Sequence, residues 1–290
     1  MYDLLPDDFY PKTLYINPKI SLCELSLLIQ SHSFSFPFIV KPNVGMAGIL
    51  FRKIDDQKQL AYYHQEIAFE YIVQELVDYP MEIGVFYIRH PMEHSGKITA
   101  LFSKRLPVII GDGISTIEEI LQKNNCTIIE ESGKLTREDL KRILPKDEKF
   151  LLSFIGNRYH GASFHDLSEL IDDKLLALFD TISHSSQFYY GRFDIKCVSI
   201  EELKNGNYFS ILEFNGAGSI PNHIYTGNFT LKKAYSEIIN HWEYLYKISA
   251  YNNRNGYPYW HTWKGLSYLL KAKRNFRDQK KQDKKINFKS

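Results

Sequence analysis

A chain of 290 residues with 44% hydrophobic and 24% charged residues has the composition of a globular protein with one large domain or two small lobes. The three cysteines, Cys23, Cys126 and Cys197, have no paired spacing, which argues against a disulfide framework or a zinc knuckle. A secretion signal and an apolar stretch long enough to span a bilayer are both missing, so a cytoplasmic location is predicted.

Charge is distributed unevenly. The net charge is +2, but the last twenty residues hold nine lysines and arginines against two aspartates, so this end is about +7 and the rest near −5. Directly before it lie Trp260, Trp263 and several leucines. Such an end is commonly an aromatic helix that docks on its own domain and leaves a solvated basic tip. The alternative is an interfacial helix that associates weakly with an anionic membrane surface or with nucleic acid.

Capping patterns predict where several helices begin. The patterns are Ser21 with Glu24, Ser115 with Glu118, and Asp166 with Glu169. The first predicts a helix that runs to about Gln30, and the third predicts a helix whose apolar residues pack on a sheet.

A loop between two predicted strands has the composition of a phosphate-binding loop. The strand over residues 36–42 carries Lys41, and a segment with Gly45 and Gly48 leads into a strand over residues 49–54. Two glycines three residues apart let a backbone loop close over phosphates, and a nearby lysine supplies a point charge. An ordinary hairpin turn explains the same glycines.

The next predicted strands carry groups that suit a nucleoside. An adenine needs a backbone donor and acceptor, and a ribose needs a carboxylate for its hydroxyls. Glu75 with the backbone of Leu76 and Val77 offers the first set, and Glu82 offers the second. The alternative is that both glutamates are solvent-side residues of edge strands.

Four basic or titratable residues are candidates to contact an anionic substrate. Lys104 and Arg105 follow a predicted strand over residues 98–102, and Arg158 and His160 lie in a polar loop between glycines. Loops of this type often carry function, although an ordinary connector explains this one equally well.

Two alternating stretches, residues 191–197 and 211–216, predict the strands of an antiparallel hairpin. A tight turn at residues 205–206 places Asp194 opposite Ala217, whereas a longer connection centred on residues 203–204 places it opposite Glu213. In both registers the same side chains point to the same face of the sheet. That face carries Arg192, Asp194, Glu213 and Asn215.

Two carboxylates and an amide oxygen on one face are ligands of the type that Mg²⁺ takes. An arginine beside them is suited to neutralising the charge of a phosphoryl group. An amphipathic hairpin whose polar face meets water shows the same alternation, so the hairpin alone leaves both interpretations open.

Taken in order, these motifs resemble the ATP-grasp superfamily, and within it the D-alanine–D-alanine ligase-like branch of carboxylate–amine ligases. The resemblance runs from about Pro11 to about Ile224 and rests on four short segments. These are Phe38-Ile39-Val40-Lys41-Pro42, Gln74-Glu75-Leu76-Val77 with Glu82, Gly191-Arg192-Phe193-Asp194, and Leu212-Glu213-Phe214-Asn215.

The resemblance implies an α+β ATP-grasp fold in which two lobes with mainly antiparallel sheets clasp ATP. It implies lobes over residues 1–77 and 78–250, followed by an aromatic and basic end over residues 251–290. ATP would phosphorylate a small carboxylate substrate, and an amine substrate would attack the acylphosphate to form an amide.

The resemblance also implies a role for each matched residue. Lys41 would hold the phosphates beneath the loop of Gly45 and Gly48. Glu75, Leu76 and Val77 would bind adenine, and Glu82 the ribose. Arg192 would stabilise the transferring phosphoryl group and the tetrahedral intermediate. Beside these matched residues, Lys104 is the second catalytic candidate, and it is expected with Arg105, Arg158 and His160 to contact the carboxylate substrate or the acylphosphate. The metal, Mg²⁺ or alternatively Mn²⁺, would be held by Asp194, Glu213 and Asn215.

Three departures from the family pattern accompany the resemblance. Leu50 stands where the loop usually has a further glycine. Members of the family commonly have another phosphate-contacting lysine in a helix before the position of Lys41. The lysines before Lys41 in this chain are Lys12 and Lys19, and neither lies in such a helix. The amino-terminal Rossmann-like domain of the family is expected to be missing. The substrate site is then minimal, completed by a homodimer or other partner, or lost. The rival functions are an ATP-grasp kinase of a hydroxyl-bearing molecule and a nucleotide-binding scaffold.

Overall fold

The computed structural model describes residues 2–123, 135, 137–153, 156, 161–227 and 229–286. In chain order the principal elements are β1 (Thr13–Ile16), α1 (Leu22–Ser31), β2 (Phe38–Pro42), β3 (Arg52–Ile54), α2 (Gln57–Glu66), β4 (Tyr71–Glu75), β5 (Met81–Ile88), β6 (Lys97–Arg105), β7 (Val108–Ile110), α3 (Ile117–Lys123), α4 (Arg137–Lys141), β8 (Lys149–Leu151), β9 (Ser163–Asp166), α5 (Asp173–Ser186), β10 (Tyr190–Cys197), α6 (Ile200–Lys204), β11 (Phe209–Asn215), α7 (Leu231–Arg254) and α8 (Thr262–Asp283).

The chain forms two compact units, each assembled from three separate stretches. Unit 1 contains Met1–Pro11, Val77–Arg105 and Ser163–Trp260. Unit 2 contains Lys12–Leu76, Leu106–Ala162 and His261–Ser290.

Unit 1 is built on a five-stranded sheet with the order β11-β10-β5-β6-β9, in which every neighbouring pair is antiparallel. One face is covered by apolar side chains of α5, including Leu175 and Phe179, which pack against Val85, Phe193 and Ile195. Since side chains alternate along a strand, the residues between these apolar positions lie on the opposite face. The antiparallel sheets with packed helices confirm the predicted α+β class.

The start of α5 differs from the prediction. The residue that caps this helix is Asp172, which accepts a hydrogen bond from the Leu175 backbone at 3.0 Å. Asp166 instead ends β9 and pairs with Phe102, and its carboxylate accepts from Ser168 in a short turn. The predicted cap failed because strand pairing placed Asp166 inside the sheet.

Unit 2 contains a four-stranded antiparallel sheet with the order β1-β4-β2-β3. Helices α1 and α2 bury one of its faces through Leu25, Leu60 and Tyr63, which pack on Phe38 and Val40. The predicted capping box of α1 is confirmed, because Ser21 and Glu24 bond each other's backbone.

A smaller part of unit 2 is formed by the two-stranded sheet of β7 and β8 with α3, around Ile109, Ile117 and Leu144. Helix α3 is capped by Thr116 and Glu119, one residue later than predicted. The Thr116 hydroxyl accepts the hydrogen bond from the Glu119 backbone, and the Ser115 hydroxyl instead donates to Asp112 in the preceding turn.

The loop before β3 is fastened to the end of α8. The strand predicted over residues 49–54 begins only at Arg52, because Leu50 has a positive φ of 61° and is fully buried. A left-handed backbone costs a branched residue roughly 1–2 kcal/mol. The Leu50 N–H donates to Asp283 Oδ1 at 2.8 Å, and the buried Arg52 guanidinium pairs with the same carboxylate at 2.8 Å. These contacts and the buried side chain offset the strain.

Helix α8 docks through its basic end and exposes its aromatic end, the reverse of the arrangement commonly found for such a terminus. Gln279 donates to the Val44 carbonyl at 2.7 Å, Gln282 donates to the Glu66 carbonyl at 2.6 Å, and Ile286 lies in the core of unit 2. Trp263 and Leu269 remain largely exposed. Within the described residues, no helix is long and apolar enough to cross a membrane.

The Asp283→Ala substitution is expected to lower the free energy of unfolding by about 2 kcal/mol, because it leaves the buried Arg52 guanidinium without its carboxylate. Chemical denaturation followed by circular dichroism measures the change. The matched control is Asp278→Ala on the same helix, whose ion pairs with Arg274 and Arg277 are 3.9 Å long and exposed. Equal effects of the two substitutions would contradict the docking role of Asp283.

Candidate functional site

The register of the hairpin brings the predicted polar residues together. In the structure Asp194 pairs with Glu213, and Arg192 pairs with Asn215. The connection contains α6, capped by Ser199, so the longer connection is the correct one and the tight turn at residues 205–206 is not formed.

A β-bulge decides which way Glu213 points. The register shifts between Asp194 and Ile195, so Ile195 faces Ile211 and Leu212 is the extra residue. Without the shift, Glu213 would point to the same side of the sheet as the buried Ile211, which is the side of the apolar core. The Leu212 carbonyl accepts a 2.7 Å hydrogen bond from the Tyr2 hydroxyl. The bulge therefore directs Glu213 and Asn215 to the polar face.

Asp194 is the centre of a buried polar cluster. Its Oδ1 lies 3.1 Å from Lys104 Nζ and 2.9 Å from Arg192 Nε. Its Oδ2 accepts from Arg192 Nη2 at 3.1 Å and from Asn215 Nδ2 at 3.1 Å. Lys104 also pairs with Glu82 at 3.1 Å. Strands β5, β6, β10 and β11 thus each contribute to one cluster of alternating charges.

The cluster keeps its members ionised. Burial alone would raise the pKa of the Asp194 carboxyl, but Lys104 and Arg192 outweigh it and lower that pKa to about 2. Burial alone would lower the pKa of Lys104, but the charges of Asp194 and Glu82 raise it. The pKa of Arg192 is likewise raised by Asp194 and Glu213 against the effect of burial.

Two glycines permit the close packing around this cluster. A Cβ at Gly84 would lie 2.2 Å from Cζ of Phe102, so the absence of a side chain makes room for this ring beside Asp194. A Cβ at Gly191 would lie 2.5 Å from the Asn215 carbonyl oxygen. The glycine that opens the Gly-Arg-Phe-Asp segment therefore lets β11 approach closely.

In unit 2, Lys41 lies on β2 opposite Ile72 of β4, on the sheet face away from the helices. Gly45 and Gly48 belong to the following loop, where Gly48 has a φ of 73°. Glu75 is exposed at the end of β4, with its N–H donating to the Lys12 carbonyl. Leu76 and Val77 follow β4 outside regular secondary structure.

The other candidates are Arg105, Arg158 and His160. Arg105 is exposed at the end of β6, opposite Ser163. Arg158 and His160 lie outside the described residues. Lys12 and Lys19 also precede Lys41, and Lys12 donates to the His32 and Ser33 carbonyls at the end of α1.

Sequence reasoning missed two groups near β11. With its amide oxygen turned toward the guanidinium, Asn222 accepts from Arg192 Nη1 at 2.6 Å. His223 and His241 lie 3.4 and 3.1 Å from Glu237 Oε1, and burial lowers the pKa of both imidazoles, that of His241 to about 4. Asn222 is distant from Arg192 in the chain, so no local sequence pattern signals that contact. Glu237 and His241 are spaced i,i+4 on α7, a local pattern that could have signalled their pairing.

The donor atoms of the hairpin suit a hard divalent cation. Asp194 remains a carboxylate, Glu213 is exposed directly opposite it, and the Asn215 amide supplies a further oxygen. The part of the chain that the structure describes contains no group of three or more His, Cys, Asp or Glu residues arranged for a metal. The hairpin set differs from such a group because its third ligand is an amide.

No protein-family model matches the sequence, and no curated protein matches it. Comparison with solved structures finds D-alanine–D-alanine ligase from Bacillus anthracis, 13% identical with a TM-score of 0.47, covering 86% of this chain and 64% of that one. It also finds a bifunctional glutathione synthetase from Pasteurella multocida, 15% identical with a TM-score of 0.40, covering 74% and 31%. The ATP-grasp ligase PsnB, bound to a minimal precursor, is 13% identical with a TM-score of 0.43, covering 85% and 58%.

The chain therefore spans between 31% and 64% of the length of these similar structures.

The Asp194→Asn substitution is expected to reduce stability by about 2 kcal/mol at neutral pH, since a pKa lowered from 3.8 to about 2 corresponds to roughly that free energy. Because the pKa is lower in the folded state, Asp194 stabilises the fold above about pH 4, and this contribution disappears as the pH falls towards about 2. Urea denaturation across this range should show the difference between wild type and variant shrinking with acidity.

The matched control for this experiment is Glu169→Gln, an exposed carboxylate of the same unit. The free energy of unfolding of this variant should equal that of the wild type at every pH. A difference between Asp194→Asn and wild type that stays constant down to about pH 2 would show that the Asp194 charge does not stabilise the fold.

Proposed function

We infer that this chain binds ATP together with magnesium and joins a carboxylate to an amine through an acylphosphate. The observation that carries the proposal is the hairpin geometry: Asp194 opposite Glu213 and Arg192 opposite Asn215, with Lys104 on the Asp194 carboxylate. This arrangement combines hard oxygen ligands with two fixed cations on one surface, which is the combination that phosphoryl transfer requires.

Asp194, Glu213 and Asn215 are proposed to hold the magnesium ion. When bound, the ion supplies charge neutralisation for phosphate oxygens. In the structure the Asp194 oxygens are occupied by Lys104, Arg192 and Asn215. The proposal therefore requires that these partners release part of the carboxylate, and Glu82 is placed to retain the Lys104 ammonium when they do.

Arg192 and Lys104 are proposed to bind the anionic groups that react. Their charges are already held in the buried cluster, so no side chain has to be recruited from solvent when a phosphoryl group arrives. Arg192 suits a transferring phosphoryl group because a guanidinium donates two parallel hydrogen bonds. The Asn222 amide fixes a third guanidinium nitrogen and so limits the rotation of this fork.

The nucleotide contacts are proposals carried over from the sequence resemblance. Lys41 with the loop of Gly45 and Gly48 is proposed to contact phosphates, and the backbone of Leu76 and Val77 with Glu75 to contact adenine. Glu82 is proposed to bind the ribose, a role that competes with its ion pair to Lys104. Arg105, Arg158 and His160 remain proposals for the carboxylate side.

The first experiment is calorimetric titration of the full chain with a non-hydrolysable ATP analogue, with and without Mg²⁺. The Glu213→Gln variant is expected to weaken Mg²⁺-dependent binding by at least about 10-fold, since losing even a hydrogen-bonding partner of a metal ligand typically costs about 10–100-fold. Glu213 is exposed, so this change should leave the fold intact, and the Asp194→Ala/Glu213→Ala variant should abolish the Mg²⁺ effect.

The control for the titration is Glu169→Ala/Glu243→Ala, which removes two exposed carboxylates elsewhere in unit 1. It should bind as the wild type does. Wild-type binding that is identical with and without Mg²⁺, or unaffected by Glu213→Gln, would reject the metal assignment.

A second experiment tests the acylphosphate. Hydroxylamine attacks an acylphosphate carbon and displaces phosphate to give a hydroxamate, whereas a phosphoester does not react in this way. Incubation with ATP, Mg²⁺, hydroxylamine and a panel of amino acids and small carboxylates should therefore give a carboxylate-dependent hydroxamate and ADP. ADP release that depends on an alcohol and leaves a phosphoester would identify a kinase instead.

A further inference from the structure

The amino-terminal half of α8 projects its side chains into solvent. Every residue from 262 to 274 except Gly265 is exposed, and Trp263 and Leu269 are 72% and 67% exposed. Packing of an apolar face normally provides most of the stability of a helix, and a free helix of this length is marginal in water. A contiguous exposed apolar surface of this kind marks a binding site.

The outward stripe of α8 has a definite chemical order. Its residues recur at intervals of three and four, which places them on one face of the helix. From the amino-terminal end they are Trp263, Leu266, Leu270, Arg274, Arg277, Lys281 and Lys284. The first half of the stripe is therefore apolar and the second half is entirely cationic.

The docked residues fix the direction of this stripe. Gln279 and Gln282 contact the rest of unit 2 from the opposite side of the helix, and Ile286, three residues beyond the end of α8, lies in the core of unit 2. Because Asp283 is tied to Arg52, the helix cannot roll to hide its outward face without breaking that ion pair. The stripe is therefore presented to the surroundings in a set orientation.

The cationic half forms a single surface. One groove is lined by Leu270, Phe276 and six basic residues, which are Lys273, Arg274, Arg277, Lys280, Lys281 and Lys284. Asp278 of the same helix lies 3.9 Å from Arg274 and from Arg277, too far for a strong hydrogen bond. The groove thus has the charge to attract a polyanion.

We propose that the outward stripe of α8 binds a membrane surface that contains anionic lipid. The leucines and Trp263 enter the interfacial region, and the basic residues of the stripe lie at the phosphate headgroups. Leucines distinguish this occupant from nucleic acid, because aliphatic side chains bury well among acyl chains and do not stack on bases. Tryptophan is enriched at the membrane interface because its amphipathic ring sits at the level of the headgroups.

The test is sedimentation of the full chain with phosphatidylcholine vesicles that contain or lack phosphatidylserine. Binding is expected only with the anionic lipid and should weaken as salt is added. Lys273→Gln/Arg274→Gln/Arg277→Gln should weaken it by about 100-fold, at about fivefold per charge. Leu266→Ser/Leu270→Ser should weaken it by at least about tenfold.

Matched controls separate the stripe from general surface effects. Lys58→Gln/Lys141→Gln/Lys146→Gln removes three exposed lysines, and Leu27→Ser/Ile114→Ser removes two exposed apolar side chains elsewhere. Both should bind vesicles as the wild type does. Binding of the ATP analogue should be unchanged in the stripe variants, so this inference and the proposed function can fail separately.

Tryptophan fluorescence reports insertion directly. In Trp242→Phe/Trp260→Phe, Trp263 is the only tryptophan left of three. Its emission should shift to shorter wavelength with anionic vesicles and be quenched by lipids brominated in the acyl chain. Absence of vesicle binding would overturn the proposal. So would binding to a single-stranded oligonucleotide that matches vesicle binding in strength and is insensitive to the leucine substitutions, which would assign the groove to nucleic acid.

Discussion

The polar face of unit 1 depends on the ion pairs made by one buried carboxylate. Asp194 is almost fully removed from water, and an isolated charge there would be strongly unfavourable. The charges of Lys104 and Arg192 compensate for the hydration that Asp194 loses on burial, and the Asn215 amide donates a further hydrogen bond to its carboxylate. A group held in this way is ionised at any physiological pH, which suits both stability and the binding of a cation.

The same ion pairs make the face adaptable. The cluster contains three carboxylates and two cations, so each cation has more than one carboxylate near it. Lys104 already contacts both Glu82 and Asp194, and Arg192 contacts Asp194 and lies near Glu213 and Asn222. Such an alternating arrangement is the basis on which the binding of a magnesium ion and phosphate groups is proposed.

The end of α8 explains a departure from the resembled family. Leu50, which stands where a glycine is usual, adopts the backbone conformation that glycine favours, and it gains a buried side chain and a hydrogen bond to Asp283. The phosphate-binding candidate loop is thus supported from behind by the carboxyl-terminal helix. That support also leaves the other half of the helix exposed, which links the docking of α8 to its proposed membrane surface.

Local sequence patterns determined much of this protein. The capping box of α1 and the alternation around Asp194 can both be read from the sequence, because each depends on neighbours within a few residues. The tertiary structure decided the rest. The bulge at Leu212 arises because Ile211 must be buried while Glu213 faces the polar side, and Lys104 meets Asp194 only after four strands are paired.

The ends of two helices were also decided by tertiary contacts. Asp172 caps α5 because Asp166 is paired in a strand, and the basic end of α8 docks because Asp283 forms an ion pair with Arg52. Desolvation and long-range pairing set these outcomes, and neither is encoded in short patterns.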